Sequence, residues 1–143
     1  MSPSLFDAVG GLPVLQRVHK IFYDKVYAHG WLKQFFAGHS QQAIEDRQTA
    51  FMAEKMGGPV EYWGKDMKTA HEAMYITPEL FEVRHALLEA ALCEAGIADE
   101  LRRRWLRIDH AFAGQIVKGP LASFYAETWP YKRHLVIPKP DSQ

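Results

Sequence analysis

The chain has 143 residues, the length of one domain, and its 17 basic and 17 acidic residues cancel to a net charge of zero. Composition therefore gives no electrostatic argument for a nucleic-acid partner or an anionic membrane surface. No apolar run reaches the roughly 18 residues of a membrane span, so none is expected. The start lacks the basic and apolar regions of a secretory signal, and the single cysteine fits a reducing compartment. We therefore expect a cytoplasmic protein.

Hydrophobic periodicity and capping signals predict four long helices. They cover residues 12–29, 40–56, 78–94 and 100–117. Ser40 and Thr77 are the predicted N-caps of the second and third. Shorter helical pieces are predicted at 29–36 and around 66–73, and no strand-like alternation stands out. The sequence predicts an all-α fold, either an up-down bundle or a helical fold built around a pocket.

Common catalytic and metal-binding patterns are missing from the sequence. None of the seven histidines forms an H-x-x-x-H pair, E-x-x-H does not occur in duplicate, and there is no Cys-x-x-Cys. Neither a G-x-S-x-G nor a P-loop pattern occurs. Cys93 lies inside a predicted helix, where we expect a small core residue rather than a nucleophile.

His71 is the histidine with a possible special role. It lies in a loosely patterned segment, MKTAHEAMYIT, between helices rich in Phe, Met, Leu and Ile. Haem needs a single imidazole on its proximal side because the porphyrin supplies four nitrogens. A lone histidine is more often structural or exposed, so spacing alone leaves both interpretations open.

A series of motifs in order resembles the truncated haemoglobins, short globins with two helices packed over two around haem. These motifs are LFDAVGG at 5–11, FYDKVY at 22–27, WLKQFF at 31–36, FMAEKMGGP at 51–59, YWGKDMKTAHEAMYIT at 62–77 and the helix carrying RIDHAF. The resemblance covers about residues 4–117 and is closest to group II. It implies haem b as cofactor and a globin domain at 1–118. Residues 119–143 have no counterpart and are expected to pack on the domain or on a partner.

The resemblance also implies roles for individual residues. His71 corresponds to the proximal iron ligand, and Tyr23, Ile44 and Gln48 correspond to distal positions. The residues expected to contact the haem or its propionates are Phe35, Phe36, Phe51, Met52, Tyr62, Lys65, Met67 and Lys68. Arg47 is expected to face solvent.

One departure from group II concerns the helix after Thr77. Group II members usually carry a tryptophan there whose indole N–H points at the bound ligand, and residues 78–96 contain none. The corresponding residue is Arg84, or His85 if the register slips by one. Either one is a candidate distal donor or internal sixth ligand. The alternative for Arg84 is a solvated or propionate-pairing side chain.

The resemblance implies a protein that binds oxygen reversibly, with carbon monoxide and nitric oxide as further ligands, and with Tyr23 and Gln48 as stabilising donors. Two alternatives stay open. One is a haem enzyme that oxidises nitric oxide or reduces peroxide, served by a reductase. The other is a gas or redox sensor that uses residues 119–143. A monomer or weak homodimer is expected.

Overall fold

A computed structural model describes residues 4–64, 71, 74–119, 121, 124 and 135–140. Its α-helices are α1 (Leu5–Val9), α2 (Leu12–Ala28), α3 (Gln41–Lys55), α4 (Pro78–Glu94), α5 (Asp99–His110) and α6 (Ala113–Ile116), with a 3-10 helix at Leu32–Phe36. In the described residues the only β-structure is one isolated bridge between Met74 and Leu135. The all-α prediction is confirmed. None of the helices described has the length and apolar character that crossing a membrane requires.

Local capping chemistry explains where the long helices begin. The Ser40 hydroxyl accepts a hydrogen bond of 3.3 Å from the Ala43 N–H, and the Thr77 hydroxyl accepts one of 3.1 Å from Leu80. Both predicted N-caps are confirmed. The predicted helix 100–117 is instead two helices, because the chain turns at 111–112 before α6 begins.

Helix α1 was not predicted. It has only five residues, too few to show a helical hydrophobic period. The Ser4 hydroxyl caps it by accepting a hydrogen bond of 3.1 Å from the Asp7 N–H. It ends at Gly10, whose φ of 116° is a conformation that glycine adopts without steric strain.

Helix α2 lies at the centre of the molecule and packs against both α3 and α4. Its buried face includes Leu15, Val18, Phe22 and Val26. Full burial of side chains of this size contributes about 1.5–3 kcal/mol each. The same face carries His19, whose Nδ1 lies 2.7 Å from the Thr49 hydroxyl on α3. This packing fixes the orientation of α2, and with it the neighbouring residue Tyr23.

Cys93 is exposed at the end of α4, so the prediction that it lies in the core is wrong. The buried face of this helix runs through Leu88 and Leu92. Cys93 follows Leu92 by one residue, which turns it about 100° around the helix axis. Cys93 therefore lies outside the apolar stripe that faces the core.

Part of the C-terminal segment packs on the helical body of the chain. The Trp31 indole donates a hydrogen bond of 2.8 Å to the carbonyl of Ile137. The Tyr75 N–H donates another of 2.8 Å to the carbonyl of Leu135. Upstream, Phe124 is buried with its ring centroid 5.2 Å from that of Tyr75. Through these contacts Phe124 and residues 135–140 pack against the rest of the chain. Trp129 and Tyr131, two further aromatic residues of the segment that were expected to pack, lie outside the described residues.

Candidate functional site

A cavity of about 610 Å³ lies between α2, the 3-10 helix, α3, α4 and the α5–α6 region. This volume falls within the range of small-molecule and cofactor sites, roughly 300–1,000 Å³. Its wall is mainly apolar, and its aromatic members are Tyr23, Phe35, Phe36, Phe51, Tyr62, Phe81 and Phe112. Flat rings around a cavity of this size suit a flat apolar ligand.

Tyr23 brings a phenol to the cavity wall. Its ring packs edge-on against Phe22, with centroids 4.7 Å apart, and against Phe36 at 6.0 Å. Burial raises the pKa of Tyr23 to about 12, and the nearby positive charge of Arg84 opposes that rise only in part. The side chain is therefore a neutral phenol at physiological pH and can donate its O–H.

Helix α3 presents two different faces. Ile44, Gln48 and Phe51 line the cavity at spacings of four and three, one side of an α-helix. Arg47 precedes Phe51 by four residues and lines the cavity as well, although its side chain is exposed. The expectation that Arg47 faces solvent agrees with its exposure, but the same side chain also reaches the cavity beside Gln48.

Met52 belongs to the other face of α3. It is fully buried in the core, and it is not among the residues that line the cavity. The reason is its position about 100° around the helix from Phe51, on the side of Thr49 and Ala53. The predicted haem contact for Met52 is therefore corrected to a core-packing role.

Arg84 and Asp109 form an ion pair on the cavity wall. The Arg84 Nη1 donates to both carboxylate oxygens of Asp109, each at 2.9 Å. The guanidinium also lies over the ring of Phe22, 5.2 Å from its centroid. Burial raises the pKa of the Asp109 carboxyl, but the Arg84 charge and hydrogen bonds from Arg84 and His85 outweigh it, so the net shift is downward. Arg84 is therefore a paired group inside the site rather than a solvated one.

His85 does not line the cavity. Its Nδ1 lies 2.9 Å from the Asp109 Oδ2, so His85 contacts a carboxylate of the cavity wall without lining the cavity itself. Its ring stacks on Phe81, with centroids 6.3 Å apart. Of the two candidates on this helix, the structure brings Arg84 to the cavity wall, while His85 contacts the wall residues Asp109 and Phe81.

His71 lines the same cavity as Tyr23 and Gln48. Its backbone carbonyl accepts hydrogen bonds of 3.0 Å from the Met74 N–H and from the Lys118 ammonium. The Lys118 N–H in turn donates to the carbonyl of Ile76 at 2.7 Å. Lys118, two residues beyond the end of α6, thus contacts the backbone at both His71 and Ile76. Lys65, Met67 and Lys68, predicted to contact haem, lie outside the described residues.

The residues around the cavity fit a haem. Within the described parts of the chain no three His, Cys, Asp or Glu side chains come together as a metal site. A porphyrin removes that need, because its own nitrogens occupy four positions on the iron and a single imidazole such as that of His71 completes one side. The aromatic wall supplies the apolar slot, and Arg47 supplies a cation at its exposed edge.

Several cavity residues were missed in the sequence. Asp109 is the most informative, because it lies within the apolar stripe of Trp105, Phe112 and Ile116 at spacings of four and three. A carboxylate inside such a stripe is a signal of a buried, paired charge. Phe81 and Met74 carry no such signal, since apolar residues on helices and loops are usually ordinary core residues.

Comparison with known proteins agrees with this geometry. Residues 4–118 match the family model described as bacterial-like globin. The chain is 35% identical over 97 residues to the group 1 truncated hemoglobin GlbN of Mycolicibacterium paratuberculosis, covering 68% of this chain and 71% of that protein. It is 30% identical over 99 residues to the group 1 truncated hemoglobin of Tetrahymena thermophila, covering 69% and 82%. The chain is a truncated haemoglobin.

Solved truncated haemoglobin structures share its fold. The ferric Tetrahymena pyriformis protein superposes with a TM-score of 0.76 at 26% identity, covering 82% of this chain and 100% of that one. The group II truncated hemoglobin of Bacillus anthracis gives 0.77 at 22% identity, covering 84% and 95%, a likeness of fold alone. Membership of the family implies that this truncated haemoglobin binds haem and small gaseous ligands. The expected closeness to group II is not confirmed, since the relatives named above by sequence are group 1 proteins.

Proposed function

We propose that this truncated haemoglobin binds oxygen reversibly at a haem b whose proximal ligand is His71, with Tyr23 and Gln48 as distal hydrogen-bond donors. Carbon monoxide and nitric oxide are further ligands of the same site. The observation that carries the proposal is that His71 and both donors line a single aromatic cavity, whose other histidine, His39, is exposed. Haem, when bound there, supplies the iron to which these diatomic ligands bind.

The distal donors act through hydrogen bonds. Tyr23 has a raised pKa of about 12, so its O–H is available throughout the physiological range. Gln48 has an amide N–H₂ on the cavity face of α3. Each well-aligned hydrogen bond contributes about 0.5–1.5 kcal/mol, or up to roughly tenfold in affinity. Ile44, beside them, adds bulk without a donor.

The remaining wall residues orient the cofactor. Phe35, Phe36, Phe51 and Tyr62 supply the flat apolar surface. Tyr62 is fixed in part because its backbone N–H donates a hydrogen bond of 2.8 Å to the Glu54 carboxylate. We propose Arg47, Lys65 and Lys68 as propionate partners and Met67 as a contact at the haem edge. Arg84 is proposed as a third distal donor, held by Asp109.

The group II assignment stays a prediction, and the residue at the distal position of α4 differs from the one usual in group II. Arg84 lines the cavity on α4 in the region where group II proteins usually place a tryptophan. The sensor alternative loses part of its motive, because residues 135–140 pack on the globin domain itself. The alternative of a haem enzyme served by a reductase stays a prediction.

Oxygen dissociation rates test the distal part of the proposal. Stopped-flow measurements on Tyr23→Phe and Gln48→Leu should each show release several-fold faster than wild type, up to about tenfold. Tyr27→Phe is the matched control, because Tyr27 is on the same helix but its hydroxyl donates to the His39 carbonyl at 3.1 Å. An unchanged rate in Tyr23→Phe removes that phenol from the site.

A further inference from the structure

The ion pair of Arg84 and Asp109 is unexpected in an apolar wall. The Asp109 side chain is only 5% exposed. Burial of two charges is unfavourable, and a well-packed apolar pair is often as stable or more so. An apolar residue at 109 would also continue the stripe of its own helix. Packing alone therefore does not explain why this ion pair lies in the cavity wall.

Asp109 has contacts on two sides. On one side it belongs to the cavity wall with Arg84. On the other its Oδ2 lies 2.9 Å from His85 Nδ1, and the His85 side chain keeps 16% of its surface exposed. A carboxylate only accepts hydrogen bonds, so His85 donates from Nδ1 and its Nε2 is left for exchange with solvent.

Beyond His85 the polar groups continue to the surface. The His110 ring lies 5.1 Å from the His85 ring, centroid to centroid and nearly perpendicular to it. His110 Nε2 lies 2.8 Å from the Glu82 carboxylate, and both of these side chains are more than half exposed. His110 and Glu82 therefore form a separate exposed pair beside His85, while His85 reaches solvent through its own exposed surface.

Resting on the proposed haem function, we propose that Asp109 and His85 form a proton relay between solvent and the ligand cavity, used by ligands that gain or lose a proton on binding. Arg84 is the positioning residue that keeps the Asp109 carboxylate in place on the wall. The ligands concerned are weak acids and their anions, such as hydrogen cyanide or a peroxide. Carbon monoxide, which carries no proton, does not need the relay.

Each step of the relay moves one proton. Inward, a solvent proton adds to His85 Nε2, the Nδ1 proton passes to Asp109 Oδ2, and Asp109 releases a proton to an anion in the cavity. Outward, the bond between hydrogen and the weak acid breaks and Asp109 accepts the proton. His85 exchanges its Nδ1 proton with solvent for one on Nε2, then accepts the Asp109 proton at Nδ1 as Nε2 releases its own to solvent. No electron moves in either direction.

Cyanide binding to the ferric protein tests the relay. His85→Asn keeps an amide donor toward Asp109 but cannot carry a proton through, so the association rate should fall about tenfold, less than the full contribution of general acid–base catalysis. The cyanide dissociation rate should fall by a similar factor. The Kd of His85→Asn therefore stays within about twofold of wild type, because a relay acts on rates and not on the equilibrium. Carbon monoxide association with the ferrous variant should match wild type.

His110→Asn is the matched control, because His110 is the exposed neighbour and bonds to Glu82 rather than Asp109. It should bind cyanide at close to the wild-type rate. Wild-type cyanide rates in His85→Asn would overturn the relay, as would equal loss of the cyanide and carbon monoxide rates. A wild-type protein whose haem spectrum does not respond to cyanide would instead contradict the proposed haem function.

A second measurement does not depend on reaction rates. Nitrogen-15 NMR of the carbon monoxide form should show neutral His85 protonated at Nδ1, as donation to Asp109 requires. His85→Asn identifies the resonance by its loss. A neutral His85 that carries its proton only on Nε2 would contradict the arrangement on which the relay depends.

Discussion

The ammonium of Lys118 donates hydrogen bonds of 3.0 Å to the backbone carbonyls of both His71 and Ile116. A single side chain therefore joins the end of α6 to the residue proposed as the iron ligand. The bond fixes the backbone at His71 rather than its imidazole. Through Lys118, the part of the chain that follows the last globin helix influences the proximal side of the cavity.

Lys118→Met should loosen the proximal segment. Hydrogen bonds from a charged donor are worth about 1.5–3 kcal/mol when well shielded, and partial exposure here reduces the expected loss of unfolding free energy to about 1 kcal/mol. Haem transfer to an acceptor globin should become several-fold faster. Lys139→Met is the control, because Lys139 pairs with Glu79 on the surface. Equal haem-loss rates for Lys118→Met and wild type would exclude this coupling.

Replacing one partner of the buried ion pair should destabilise the protein more than replacing both partners. Asp109→Leu leaves the Arg84 charge without its carboxylate, which costs about 3–5 kcal/mol at buried sites and somewhat less for a guanidinium with 24% of its side chain exposed. The double variant Arg84→Met/Asp109→Leu should recover most of that loss. Urea unfolding of the three proteins measures both effects. A double variant as unstable as the single one would contradict the pairing.

His19 should make stability fall in acid. Burial, and to a lesser degree the Arg84 charge, lowers its pKa from 6.5 to about 3, and Asp109 offsets this only in part. The unfolded chain therefore binds a proton that the folded one does not between about pH 6.5 and pH 3. The contribution of neutral His19 is complete above pH 6.5 and is lost as the pH falls toward 3. The full loss is roughly 5 kcal/mol.

Unfolding free energies at pH 7 and pH 4.5 measure this effect. His19→Gln should show a smaller difference between the two pH values than wild type. His39→Gln, at an exposed position, should leave the difference unchanged. If His19→Gln keeps the full wild-type difference, another group is responsible for the acid sensitivity.

The indole of Trp31 should contribute to docking of the C-terminal segment. Trp31→Phe keeps an aromatic ring but removes the donor to the Ile137 carbonyl, and the expected loss of unfolding free energy is about 1 kcal/mol. Proteolysis of the C-terminal segment should become faster. Trp63→Phe is the control, because Trp63 is 87% exposed. Equal proteolysis of both variants would contradict a docked segment.

Features set by local physical chemistry could be predicted from the sequence. The Ser40 and Thr77 caps are examples, because a hydroxyl before a helix satisfies a backbone N–H three residues on. Apolar periodicity likewise predicted the long helices, although it did not reveal the turn at 111–112. That turn falls inside a stripe whose apolar residues keep their spacing on both sides.

Features set by the angle around a helix or by distant contacts could not be predicted as well. Met52 follows Phe51 in sequence, but the rotation of about 100° between neighbouring residues turns it to the core. Arg47 is exposed as expected, but its side chain also reaches the cavity wall beside Gln48. The Arg84–Asp109 pair joins residues 25 positions apart on different helices. Single-sequence patterns contain no information on such a pairing beyond the presence of a carboxylate in an apolar stripe.

The visible spectrum of the haem-reconstituted protein, in wild type and His71→Gly, tests the central claim most directly. The account predicts a Soret band in ferrous wild type that shifts on addition of carbon monoxide. His71→Gly should lose the proximal-histidine spectrum, and added imidazole should restore it by occupying the vacated space. A His71→Gly protein with the wild-type ferrous and carbon monoxide spectra, or a folded wild type that takes up no haem, would contradict it.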